Sequence, residues 1–158
     1  MPFYDQNKIE VLISSEELQT RIDALGRRIT ADYADQGSLV LIGVLKGSFI
    51  FLADLFRTID LPAEVDFLGL SSYGNSEETS GVVRVTQDLS RPIEGKHVLV
   101  VEDIVDTGLT MKYLLENLAT RRPASIRIAS LLHKPARSRV PIEVDYLGFE
   151  IPDRFVIG

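Results

Sequence analysis

The chain has 158 residues, of which 45% are hydrophobic and 25% charged, a length and balance that suit one domain around one core. The absence of cysteine excludes disulfides, thiol nucleophiles and cysteine-ligated metal, and the net charge of −6 argues against broad nucleic-acid binding. No apolar stretch approaches the ~20 residues that span a bilayer, and MPFYDQNKIE lacks a basic region followed by an apolar one; neither a membrane partner nor a nucleic-acid partner is expected, and the expected location is cytoplasmic.

Ser14-Ser15-Glu16-Glu17 has the capping-box pattern. Leu18, Ile22, Leu25, Ile29 and Tyr33 follow at helical spacing, and Gly37 closes the element. Leu39 to Leu45 is a continuous apolar run, expected as a strand buried on both faces. Lys46-Gly47-Ser48 breaks it, and Phe49 to Ile59 reads as a helix ending before Pro62. Val65 to Leu70 is a second strand. Ser71 to Gly81 is polar and aperiodic, and reads as an exposed, mobile loop. Val82 to Thr86 is a strand, Pro92 to Gly95 a turn, and His97 to Val101 a strand. Met111 to Leu118 is helical and stops before Pro123; Ile126 to Leu132 and Val144 to Phe149 are strands, and Phe155-Val156-Ile157 begins one more.

Strands alternating with helices predict an α/β fold: a mostly parallel, twisted sheet with helices on both faces. Ligands of such sheets lie at the carboxyl ends of the strands. Lys46-Gly47, Glu102 to Thr110, His133-Lys134 and the neighbourhood of Asp153 are the polar breaks there.

The most informative stretch is Val101 to Thr110, VEDIVDTGLT. Two adjacent carboxylates, Glu102 and Asp103, repel at a buried strand end unless a cation or donor satisfies them. A sugar diol supplies donors, and Mg²⁺ suits such oxygen ligands. Because neighbouring strand residues point to opposite faces, one of the pair can be structural instead. Asp106-Thr107-Gly108-Leu109-Thr110 offers a tight turn, two hydroxyls and a helix N-terminus, a set able to hold a phosphate without lysine. Taken alone it is also an ordinary helix cap. Lys46 and Gly47 can present an ammonium and backbone N–H groups to an anion, or form a plain strand-to-helix turn. Lys134 can donate to a base carbonyl, or be one more cation of the surface run Lys134 to Arg139. Phe155 can stack on a flat ring or belong to the core. His97 and His133 read as structural.

VEDIVDTGLT resembles the phosphoribosyl-pyrophosphate signature of the type I phosphoribosyltransferases. LKGS, the Ser-Ser-Tyr-Gly loop, LLHK and GFEIPDRFVIG, in this order, resemble the hypoxanthine–guanine branch, and the similarity runs from about Ile9 to Gly158. The resemblance implies the type I phosphoribosyltransferase fold with a flexible active-site loop. It implies transfer of a phosphoribosyl group from phosphoribosyl pyrophosphate to a 6-oxopurine, with Mg²⁺ as cofactor and a homodimer or homotetramer as the assembly. By position, Glu102 and Asp103 would hold the ribose hydroxyls and the metal shell, and Asp106 would face purine N7 as general base or acid. Thr107, Gly108, Leu109 and Thr110 would hold the 5′-phosphate; Leu109 stands where some members have lysine. Lys46 and Gly47 would form the pyrophosphate loop, with a cis peptide between Leu45 and Lys46. Ser72 and Tyr73 would lie on the closing loop, Lys134 would read the 6-oxo group, Phe155 would stack on the base, and Val156 would offer it backbone groups. In the family the strand continues past the position of Gly158, to an aspartate and an arginine on the pyrophosphate side. The expectation is therefore a single domain, 1–158, lacking its C-terminal tail, with impaired pyrophosphate and metal binding. Two alternatives stay open: a nucleic-acid-binding regulator of the same fold that senses phosphoribosyl pyrophosphate, and a transferase acting on xanthine or a pyrimidine.

Overall fold

The computed structural model describes residues 5, 8–72 and 83–158. Nine helices and strands of these residues position the site. Helix α1 (Ser15–Tyr33) begins with the expected capping box: Ser14 Oγ accepts from the Glu17 N–H at 3.1 Å, and the Ser14 N–H donates back to the Glu17 carboxylate. Strand β1 (Leu39–Leu45), helix α2 (Phe49–Phe56), strands β2 (Ala63–Ser72), β3 (Val83–Gln87) and β4 (His97–Val105), helix α3 (Leu109–Ala119), and strands β5 (Ser125–His133) and β6 (Tyr146–Glu150) follow.

The strands form one sheet in the order β3-β2-β1-β4-β5-β6. Every neighbouring pair is parallel except β2 and β3, which are antiparallel. Helices cover both faces. Ile22, Leu25 and Ile29 of α1 and Phe51, Leu52 and Leu55 of α2 pack with Leu41, Leu99 and Ala129 on one side. On the other, Met111, Leu114 and Leu118 of α3 pack with Val40, Ile42, Val98, Val100 and Ile128. Residues of β1 and β4 enter both clusters, so these two strands are buried on both faces, as their unbroken apolar runs require. Among the described residues no helix is long and apolar enough to cross a membrane.

Three differences from the pattern read in the sequence exceed two residues. Strand β4 does not stop at Val101 but runs to Val105, so Glu102 and Asp103 lie within it; continued pairing with β5, from Glu102↔Ser130 to Val105↔His133, holds the extension. Helix α2 ends at Phe56, where the Arg57 and Thr58 N–H groups turn back on the last carbonyls. Phe155 to Ile157 forms no strand, because no described segment lies alongside to pair with it.

Candidate active site

The chain moves outward from β1 to β2 on one side and from β4 to β5 and β6 on the other, so the sheet reverses its winding between β1 and β4. A crevice opens at the carboxyl ends of two such strands because their connections leave in opposite directions. β1 ends there in Lys46-Gly47 and β4 in Glu102 to Thr110. The Leu45–Lys46 peptide is cis, as the resemblance implied.

Pairing of β1 with β4 ends at Gly43↔Val101, which leaves the end of β4 uncovered on that side. Glu102 and Asp103 therefore both line the crevice, although they are consecutive in a strand. They border two cavities. One, of about 280 Å³, is also lined by Leu45, Gly47, Ser71, Val83 and Thr110. The other, of about 160 Å³, is lined by Asp106, Thr107, Gly108, Thr110 and Met111. The Asp103 carboxylate lies against the Gly47 backbone so closely that a methyl group at position 47 would come within 3.0 Å of its carboxyl carbon. Glycine is needed there for approach, not for an unusual φ.

The Asp103 N–H donates to Glu102 Oε1 at 3.0 Å, and the Ile104 N–H to Asp103 Oδ1 at 2.9 Å. Burial, then the hydrogen bond and charge of Asp103, hold the Glu102 carboxyl well above the usual carboxylate range. Among the described residues neither acid has a basic partner. Two crowded carboxylates without a counter-charge are a fitting donor set for a hard cation that takes its remaining oxygens from substrate and water. No described group of three acids or histidines offers a complete cage.

The loop after β4 is shaped by one residue. Gly108 has φ +88°, and a side chain on it would meet the Val140 carbonyl oxygen at 2.5 Å. The N–H groups of Arg139 and Val140 donate to the Thr107 carbonyl at 2.9 and 3.1 Å, so the segment after Lys134 clamps this turn from behind. The Leu109 N–H reaches Thr107 Oγ1 at 3.4 Å, and the first full helical bond runs from Lys112 to Gly108. The Thr110 and Met111 N–H groups thus open α3 without a described protein acceptor. They border the smaller cavity, an arrangement suited to an anion.

The remaining residues lie on the β5 side. The Lys134 N–H donates to the Val105 carbonyl at 3.0 Å, which fixes it beside the end of β4. Its side chain is not a surface cation: the residue is 8% exposed, and its ammonium has no described hydrogen-bond or ion-pair partner. Phe155 is not core: it is 93% exposed. The Ile151 N–H bonds the His133 carbonyl at 2.9 Å, and so sets the segment carrying Phe155 and half-buried Val156 beside Lys134. Lys46 is exposed at the crevice. Ser72 ends β2, and Tyr73 lies outside the described residues, as does the rest of the expected loop to Gly81. His97 is structural, its Nδ1 2.6 Å from Ser125 Oγ.

Sequence reading missed Arg137. Its Nε donates to Asp106 Oδ1 at 2.7 Å, and its guanidinium lies 4.0 Å from Asp153. The signal was present but covered by a run of cations: Arg137 closes the 3-10 turn Pro135–Arg137 that follows Lys134, inside the stretch read as a surface run.

A model of the phosphoribosyl transferase domain matches residues 14–158. The chain belongs to this phosphoribosyltransferase family. It is 48% identical over 153 residues to a hypoxanthine-guanine phosphoribosyltransferase of Mycobacterium avium, covering 94% of this chain and 75% of that one. With a hypoxanthine phosphoribosyltransferase of Haemophilus influenzae it shares 47% over 155 residues, covering 97% and 87%. The crystal structure of a hypoxanthine phosphoribosyltransferase from Staphylococcus aureus superposes with a TM-score of 0.88 at 44% identity, covering 92% of this phosphoribosyltransferase and 79% of that one.

Proposed function

We propose that this phosphoribosyltransferase acts in purine salvage, joining hypoxanthine or guanine to the phosphoribosyl group of phosphoribosyl pyrophosphate and releasing pyrophosphate. The observation that carries this reading is the meeting, at one reversal of the sheet, of an unpaired acid pair with a glycine turn whose helix N–H groups are open. A ribose 5-phosphate presents a diol and a phosphate at matching ends.

In this reading Glu102 and Asp103 accept the ribose hydroxyls, while Thr107, Gly108, Leu109 and Thr110 hold the 5′-phosphate. Lys46 and Gly47 hold the pyrophosphate, Gly47 from the lining of the larger cavity. Lys134 donates to the purine 6-oxo group: its stem is buried beside the end of β4 and its ammonium has no described protein partner, which leaves it available to an incoming acceptor. Phe155 stacks on the base, and Val156 offers it backbone groups. Ser72 and Tyr73 belong to the loop that closes over the sugar. As purine N9 bonds to the anomeric carbon and the carbon–oxygen bond to pyrophosphate breaks, positive charge develops on the ribose ring, and the acids near it stabilise that charge. The N7 proton passes to the Asp106 carboxylate. Glu102 and Asp103 also fit Mg²⁺, which when bound offsets the charge of the leaving pyrophosphate. The proposal includes a homodimer or homotetramer, for which exposed Phe49 and Ile50 on α2 supply apolar surface, and a cytoplasmic location, as expected from the sequence.

The test is a coupled assay with hypoxanthine, guanine and xanthine supplied separately, together with phosphoribosyl pyrophosphate and Mg²⁺. Product from hypoxanthine or guanine supports the reading, and product from neither overturns it. Asp106→Asn is expected to lower turnover ~10²-fold or more at unchanged stability; unchanged turnover would remove Asp106 from the mechanism.

A further inference from the structure

We infer that Arg137 is a positioning residue for the base half of the reaction, acting through Asp106. The inference rests on the function proposed above. Arg137 approaches Asp106 through one atom pair only, Nε to Oδ1 at 2.7 Å. That contact fixes the carboxylate's rotation and leaves Oδ2 free to face the incoming purine. The same guanidinium points at Asp153, 4.0 Å away, two residues before Phe155. One planar cation thus spans the two sides of the base slot, the Asp106 turn and the segment that carries Phe155 and Val156. A lysine has no such fork, and its point charge leaves the carboxylate free to rotate. The backbone holds Arg137 in place as well. Its N–H donates to the Lys134 carbonyl at 3.1 Å, and the Arg139 and Val140 N–H groups after it grip Thr107. A surface ion pair of this exposure contributes little to stability, so an effect on rate is separable from an effect on folding.

Arg137→Gln and Arg137→Lys are measured with each substrate varied in turn. Arg137→Gln is expected to lower kcat/KM for the purine about tenfold, with the KM for phosphoribosyl pyrophosphate and the unfolding midpoint nearly unchanged, and Arg137→Lys to recover part of the loss. Placed in an Asp106→Asn background, Arg137→Gln is expected to add less than about a twofold loss, because its route to the reaction is already gone. A purine kcat/KM equal to or above the parent's, an equal loss for both substrates, or the same tenfold loss in both backgrounds overturns the inference. Failure of the parent itself to turn over any purine overturns the proposed function and this inference together. An active parent with an unaffected Arg137→Gln overturns the inference alone.

Discussion

Phe155 and Glu102 are placed where folding alone would not put them. A phenylalanine that is 93% exposed contributes little to the core. Phe155→Ala is expected to change stability by less than ~0.5 kcal/mol. It also removes a stacking surface worth about 1–2 kcal/mol, so the KM for the purine is expected to rise roughly tenfold. Steady-state kinetics beside a thermal melt would check both, and an unchanged KM would take Phe155 out of the base site. Glu102 is uncomfortable in the opposite sense. Its carboxyl is held above the usual range by burial and by Asp103, so the folded chain keeps a proton that the unfolded chain loses. Stability of the ligand-free protein therefore falls as pH rises from the unfolded value toward the raised folded one. Glu102→Gln is expected to flatten that decline and raise the melting midpoint at neutral pH, while weakening binding of phosphoribosyl pyrophosphate. Melts from pH 4 to 8 that superpose for the two proteins would contradict it. The acid pair was legible in the sequence because crowded carboxylates are a local signal. The ion pair of Arg137 with Asp106 was not, because it joins residues 31 apart through a turn whose geometry the composition of Lys134 to Arg139 hides.

At the level of elements, the turn between β4 and α3 carries a demand that only glycine meets. Position 108 combines φ +88° with a backbone oxygen 2.5 Å from where a side chain would begin. Gly108→Ala is expected to destabilise the fold by about 1–3 kcal/mol and to impair 5′-phosphate binding, since the N–H groups of α3 are aimed by this turn. Denaturant unfolding and titration with ribose 5-phosphate read the two effects, and a variant normal in both would show that the turn relaxes. Regular elements were read well where a repeating pattern forced them, as with the capping box at Ser14 and the apolar run of β1. The end of β4 was misread because Glu102 and Asp103 look like a strand stop; the pairing that carries the strand to Val105 comes from β5, which is distant in sequence. Phe155 to Ile157 was misread for the converse reason: branched and aromatic residues favour a strand only when a neighbour is available to pair.

At the level of the molecule, the crevice is built by strands that the core already holds rigid, so ligand binding adds to the stability of the whole sheet. Phosphoribosyl pyrophosphate with Mg²⁺ at about a hundred times its dissociation constant is expected to stabilise the fold by ~2.7 kcal/mol, read as a rise in melting midpoint. No shift at saturating concentration would mean that the crevice does not take this substrate. Strand order has a further consequence, for how the protein can change. The groups assigned to the sugar and its phosphate grow from β1 and β4, the pair sealed on both faces, where almost any substitution disturbs packing. Apart from Asp106, the groups assigned to the base follow β5 or lie beyond the edge strand β6, and Phe155 among them is exposed, so its side chain is exchangeable at little expense to the fold. Such a division lets mutation alter which base is accepted while the handling of the sugar phosphate is inherited intact.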